Sequence, residues 1–154
     1  MLTVLDSSIF SSPAQTLVNP VNTAGVSGKG LALEFKRWFP QNQRLLLSRI
    51  GTEFRIGDIL LWCPPYSPVW IVNFPTKTTW KQPSKLQYIE MGLERLQAAM
   101  KFQNSYRRIE SLAFPLLGCG LGGLKREDVQ PLIEEFAVSC PVPVYLHVFG
   151  DDHQ

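Results

Sequence analysis

Much of what identifies other protein classes is missing from this 154-residue sequence. Its three cysteines, Cys63, Cys119 and Cys140, are odd in number and widely separated. That excludes a disulfide framework and any paired-cysteine zinc motif. Lys and Arg exceed Asp and Glu by only two charges. No global basic field draws in nucleic acid, so any such surface has to be local. No apolar run approaches the length of a membrane span. The opening MLTVLDSSIF has neither a basic start nor a long apolar core, so no secretion signal is read and a reducing cytoplasm is expected. Repeats, low-complexity tracts and linkers are absent too. The whole of 1–154 reads as one domain, long enough to bury a core, with an ordinary 45% hydrophobic and 18% charged content.

What is there is an alternation of strand and helix patterns. Strands are expected over Leu2–Leu5, Gln15–Val18, Asp58–Cys63, Val69–Phe74, Ile109–Phe114 and Val142–Phe149. The links Pro64-Pro65 to Pro68 suggest a hairpin between the third and fourth. Helices are expected from about Lys29 to Phe39, stopped by Pro40, around Arg44–Leu47, from Ser84, and over Arg126–Val138. In the first, Leu31, Phe35 and Trp38 share a face; Ser84-x-x-Gln87 reads as a capping box for the third. The class is α/β, with a mixed sheet between helical layers.

Two glycine loops stand out, each between a strand and a helix. The first runs Asn19-Pro20-Val21-Asn22-Thr23-Ala24-Gly25-Val26-Ser27-Gly28-Lys29-Gly30. Glycines allow close backbone approach, and unpaired N–H groups at the helix start favour a phosphate. It is not a P-loop: Thr23 stands where the first glycine is needed, and Gly30 where the hydroxyl should follow Lys29. Asn19 and Asn22 fall at the expected strand end, where ligands of α/β sheets bind. The second loop, Gly118-Cys119-Gly120-Leu121-Gly122-Gly123, formally matches GxGxxG, with Asp151 placed like a ribose-binding acid after the next strand. A dinucleotide fold needs more sheet beyond it than one strand. The better use is a second wall against the same diphosphate.

Lys77 follows Asn73-Phe74-Pro75 and so falls at the ligand edge. It is either a solvated loop lysine or a nucleophile toward a sugar carbon. Trp80, with Lys81 and Lys85, either packs on the next helix or offers a stacking platform with cations for single-stranded nucleic acid. His147 reads as a sheet-face histidine and Cys119 as a small loop residue. Neither enters the catalytic set.

Val18-Asn19-Pro20-Val21-Asn22-Thr23 with Gly25-Val26-Ser27-Gly28-Lys29-Gly30-Leu31-Ala32 resembles the first signature of macrodomains, the ADP-ribose-binding fold. Asn73 to Lys77 with Trp80-Lys81, and Pro115 to Leu124, are similar to the DNA ADP-ribosyl glycohydrolases of the DarG type. Those antitoxins remove ADP-ribose from thymidine in single-stranded DNA, reversing a DarT-type toxin. The resemblance implies a three-layer α/β/α macrodomain and a monomer that takes ADP-ribosylated single-stranded DNA without metal or redox cofactor. The toxin is its implied partner, and the chain is either the N-terminal catalytic domain of a longer antitoxin or a stand-alone relative.

Carried onto matching positions, the resemblance implies Lys77 as the catalytic lysine and Thr76 beside it in the ADP-ribose site. Asn22 would meet the distal ribose. Gly25, Val26, Ser27, Gly28, Lys29 and Gly30 would face Gly118, Cys119, Gly120, Leu121 and Gly122 around the diphosphate. Ser8 and Ile9 would meet the adenine, and Trp80, Lys81 and Lys85 the DNA. Two positions depart from relatives. Ser7-Ser8-Ile9 replaces Gly-Asp-Ile, whose Asp binds the adenine amino group, and Gly122 stands where lysine-dependent relatives in animals carry an Asp. A non-catalytic ADP-ribose reader, or a hydrolase of ADP-ribose 1″-phosphate, O-acetyl-ADP-ribose or ADP-ribosylated protein, are the alternatives.

Overall fold

The computed structural model describes residues 1–149; Asp151 and the rest of the tail lie outside them. Within that span six strands form one sheet: β1 (Leu2–Leu5), β2 (Thr16–Asn22), β3 (Leu60–Trp62), β4 (Trp70–Lys77), β5 (Leu112–Pro115) and β6 (Val144–His147). Their order is β1-β6-β5-β2-β4-β3. All neighbours are parallel except β3, which pairs antiparallel with β4 as the proline-rich link implied. Four α-helices complete the layers: α1 (Gly30–Trp38), α2 (Pro40–Arg49), α3 (Leu86–Phe102) and α4 (Arg126–Ser139).

Alternation along the central strands divides the core. Val18, Val72, Phe74, Leu112, Phe114, Val144 and Leu146 pack with Ile89, Leu93 and Leu96 of α3 and Val129 and Ile133 of α4. On the opposite face Leu17, Ile71 and Ala113 meet Leu31 and Phe35 of α1. Contact is closest where α3 crosses Phe74: a methyl group on Gly92 would come within 2.2 Å of that ring. The three-layer arrangement is therefore the one expected.

Several boundaries differ. β2 and β4 run past Val18 and Phe74, where the expected strands end, and on through Pro20 and Pro75. Pairing to β5 covers only Thr16 and Leu17, and β3 accompanies β4 only from Ile71 to Asn73. Beyond those points each strand has one open edge, where a residue lacking an N–H is tolerated. Pro40 ends α1 and also opens α2 at its first position, so the second helix is longer than expected. Trp38, expected on the buried face of α1, is 65% exposed and stacks on Phe10. The capping box does not form: α3 starts from Lys85 without a side-chain cap, and Ser84 Oγ is buried with no hydrogen-bond partner among the described residues.

Candidate functional site

The longer β2 and β4 carry their last residues to the C-terminal edge of the sheet. There Asn22 pairs with Lys77 across a register shift. Asn19 consequently lies inside, not at the mouth. Its amide donates to Asn73 Oδ1 at 3.1 Å, which also takes the Asn42 amide at 3.0 Å. This buried asparagine cluster ties α2 to the two strands that deliver the site.

Asn22 shapes the first glycine loop. Its Oδ1 accepts from the backbone of Ala24 at 3.1 Å and Val26 at 3.2 Å, and its Nδ2 donates to the Val26 carbonyl at 2.8 Å. One amide hydrogen is left for a ligand. The chain reverses at Gly25, whose φ of 78° suits glycine. The second loop leaves β5 and is held by its own backbone: Cys119 N to Leu116 O, Gly123 N to Gly120 O and Leu124 N to Gly118 O, all near 3 Å.

Between the loops opens a cavity of about 620 Å³, within the usual size of small-molecule sites. Of the predicted residues it brings together Asn22, Val26, Gly28, Lys29, Thr76, Lys77, Trp80, Lys81, Gly118, Leu121 and Gly122. Pro20, Val21 and Ala32 also line it and were not foreseen. Gly25, Gly30, Cys119 and Gly120 belong to the loops without lining the cavity. Ser27 is buried with its hydroxyl on Gln43, pointing its donor toward α2. Lys85 is not part of the lining; its ammonium lies over the Tyr88 ring. Ser8 and Ile9 line a separate, smaller recess with Leu31, Glu34 and His147.

Lys77 reaches this cavity from the end of β4. Burial disfavours its ammonium and moves its pKa below the ordinary lysine value. No carboxylate among the described residues pairs with it. Trp80 is 55% exposed at the rim, with the Lys81 ammonium 5.2 Å from the ring centre. Trp80 is thus not a buried core ring. Val26 and Leu121, both exposed, face the same cavity from the two loops.

Where an Asp might have stood, Gly122 has no room for one. A methyl group there would fall 2.4 Å from Ser84 Oγ. Ser84 N also donates to the Gly122 carbonyl at 2.9 Å, so the segment before α3 underpins the second loop. The sequence offered no signal for this, since the contact is between residues distant in the chain.

Comparison with known proteins follows the same lines. The Macro domain family matches residues 18–133. A protein of Thermus aquaticus named DNA ADP-ribosyl glycohydrolase is 39% identical over 138 residues, 88% of this chain and 37% of its own length. The solved macrodomain of Thermus aquaticus DarG superposes with a TM-score of 0.87 at 37% identity, covering 96% of this chain and 97% of that one. Thermosipho africanus DarTG in complex with ADP-ribose gives 0.87 at 34% identity, over 95% of this chain and 41% of that one. The chain thus spans about two fifths of the length of that curated relative.

Proposed function

The chain belongs to the macrodomain family, and from that premise we propose that it is a DNA ADP-ribosyl glycohydrolase opposing a DarT-type toxin. The observation that carries the reading is the position of Lys77, half-buried at the end of β4 between two glycine loops, without a carboxylate partner among the described residues. The names of its relatives support the substrate class. The exposed Trp80 and Lys81 favour a polymeric substrate over a free ester, because a base stacks on the ring while a phosphate meets the ammonium.

In this reading the diphosphate lies along the backbone N–H groups of both loops, and the distal ribose lies against Asn22 and Lys77. The neutral amine of Lys77 attacks the anomeric carbon. A bond from that carbon to Nζ forms as the bond to the thymine nitrogen breaks. The base leaves with the electron pair and takes the proton released by the amine. Water then hydrolyses the sugar–lysine adduct, releasing ADP-ribose and restoring the amine. Burial makes the neutral amine accessible, whereas the diphosphate opposes it, so the mechanism needs backbone donors between phosphate and amine. Paired acids, the common device for glycosidic bonds, are not part of this cavity lining.

The test is turnover of oligonucleotides carrying ADP-ribosylated thymidine, beside ADP-ribosylated protein and the small esters. Lys77→Ala should abolish release from DNA while keeping ADP-ribose binding, and Lys77→Arg should not restore it. Borohydride should trap the opened sugar on Lys77, seen by mass spectrometry. Release from protein alone would overturn the DNA assignment; full activity in Lys77→Ala would overturn the chemistry.

A further inference from the structure

The smaller recess adjoins the main cavity. Helix α1 sends Ala32, with its N-cap Lys29, to the main cavity and Leu31 and Glu34 to the recess. The segment after β5 does the same, with Leu116 in the recess and Gly118 in the cavity. A ligand whose reacting ribose meets Lys77 and whose diphosphate follows the loops has its far end in this recess. On the proposed function that end is adenine, and Ile9, Leu31 and Phe149 supply apolar walls for a flat ring.

The polar residues lining it are Ser7, Ser8, Glu34 and His147. Ser8 Oγ, standing where relatives carry an Asp, accepts from Phe10 N at 3.2 Å as the cap of a short 3-10 turn. Its carbonyl holds Ser11. Ser8 is thus built into the local turn. Glu34 is the one charged residue lining the recess, is partly buried, and has no ion-pair partner among the described residues. His147 is 4% exposed and lines the recess from the end of β6. Its Nδ1 lies 3.1 Å from the Ser7 carbonyl oxygen and 3.2 Å from Ser7 Oγ, so Ser7 holds the ring in place. Nε2 is buried with no partner among the described residues, and the imidazole serves as wall.

A carboxylate without a partner calls for an N–H donor on the ligand. It repels a ring that presents oxygen at the same place. A lone carboxylate near an anionic ligand also weakens binding unless a ligand donor faces it. We propose that Glu34 is the base-reading residue of this site, its carboxylate accepting from the 6-amino group of adenine in place of the side chain at position 8. This rests on the proposed placement of ADP-ribose, and it assigns to α1 a role that the resemblance places in the loop after β1.

The experiment is calorimetric binding of ADP-ribose and of inosine diphosphate ribose, in which oxygen replaces the amino group, to the unmodified chain, Glu34→Gln and Glu34→Ala. The unmodified chain should prefer ADP-ribose by about tenfold or more, as for a hydrogen bond to a charged acceptor. Glu34→Gln offers both an acceptor and a donor, so the preference should shrink to about twofold or less. Glu34→Ala should lose it as well. A purely structural role would weaken both ligands alike; an unchanged preference in both variants overturns the proposal. Failure of the unmodified chain to bind ADP-ribose at all overturns the proposed function together with this inference. Binding and turnover with a preference that ignores Glu34 overturns the inference alone.

Discussion

The two glycine loops are alike in composition and are built in opposite ways. The first takes its shape from one side chain, because Asn22 makes three hydrogen bonds to Ala24 and Val26. The second is arranged differently, with the Cys119 thiol donating weakly to the Leu117 carbonyl at 3.9 Å. Gly118, Gly120 and Gly123 all hold positive φ angles, the backbone bonds to itself, and Ser84 fills the space beneath. The first loop also carries a cation, Lys29, whereas the second carries none and borrows Trp80 and Lys81 from the segment behind it. One loop should therefore fail when a polar side chain is removed, the other when any side chain is added.

The largest effect should come from adding one. At Gly118, φ is 76°, and a Cβ would lie 2.7 Å from Leu124 Cδ1 and 3.1 Å from Ser84 Cβ. Left-handed strain and overpacking together should cost Gly118→Val about 2–5 kcal/mol. ADP-ribose affinity should fall by at least an order of magnitude, with a lower Tm. Unchanged calorimetric affinity in a folded variant would remove the ligand from this loop.

Asn22→Ala should be milder. It removes the hydrogen bonds that fold the first loop, a loss of about 1–3 kcal/mol for the groups left unpaired. Asn22→Asp separates shape from contact. The carboxylate still accepts from Ala24 and Val26, so part of the hold on the loop should survive, although its second oxygen meets the Val26 carbonyl that Nδ2 held at 2.8 Å. The donor is gone and a negative charge faces the diphosphate, so ADP-ribose affinity should still fall. Equal Tm losses in both variants would show that the asymmetry between the loops has been misjudged.

Smaller again is the effect of the cations behind the second loop. Removing one phosphate contact to single-stranded DNA lowers the salt slope by about 0.7. Lys81→Ala should show that change in the Michaelis constant for modified DNA, because Lys81 lines the cavity. Lys85→Ala should show less, since its ammonium leans on Tyr88. Free ADP-ribose should bind both variants as before. If Lys29→Ala altered the DNA salt slope and Lys81→Ala did not, the DNA would leave across the first loop instead.

These contrasts also mark what the sequence could and could not convey. The strands, both loops and the place of Lys77 at the end of the fourth strand were legible because each rests on local patterning: apolar runs, glycines at turns, helices after them. Asn22 and Asn19 look equivalent in sequence, yet one folds a loop and the other is buried against Asn42 and Asn73. That difference arises from β2 continuing through Pro20, which only the pairing of neighbouring strands decides. Glu34 gave no signal because the recess it lines is built with Ser8, Leu116 and His147, which lie far from it in the chain.

The smallest expected effect is the sharpest test of how the second loop is supported. As the N-cap of a capping box, Ser84 would contribute about 1 kcal/mol, lost on substitution by Ala. Its hydroxyl is buried without a partner among the described residues, so Ser84→Ala removes a desolvated polar group and no hydrogen bond. Its backbone N–H, which holds the Gly122 carbonyl, is untouched by the change. Stability measured by denaturant titration should therefore stay within about 0.5 kcal/mol of the parent. The coupling to Gly122 should be visible where the single change is not. In the parent, Gly122→Ala places a methyl group 2.4 Å from Ser84 Oγ and 3.1 Å from Ser84 Cβ. Ser84→Gly clears both atoms, so Gly122→Ala should cost less in that background, by about 1 kcal/mol or more in a double-mutant cycle. A Ser84→Ala loss of a full cap's worth, with no coupling to Gly122, would return Ser84 to the helix and leave the second loop supported by its own backbone alone.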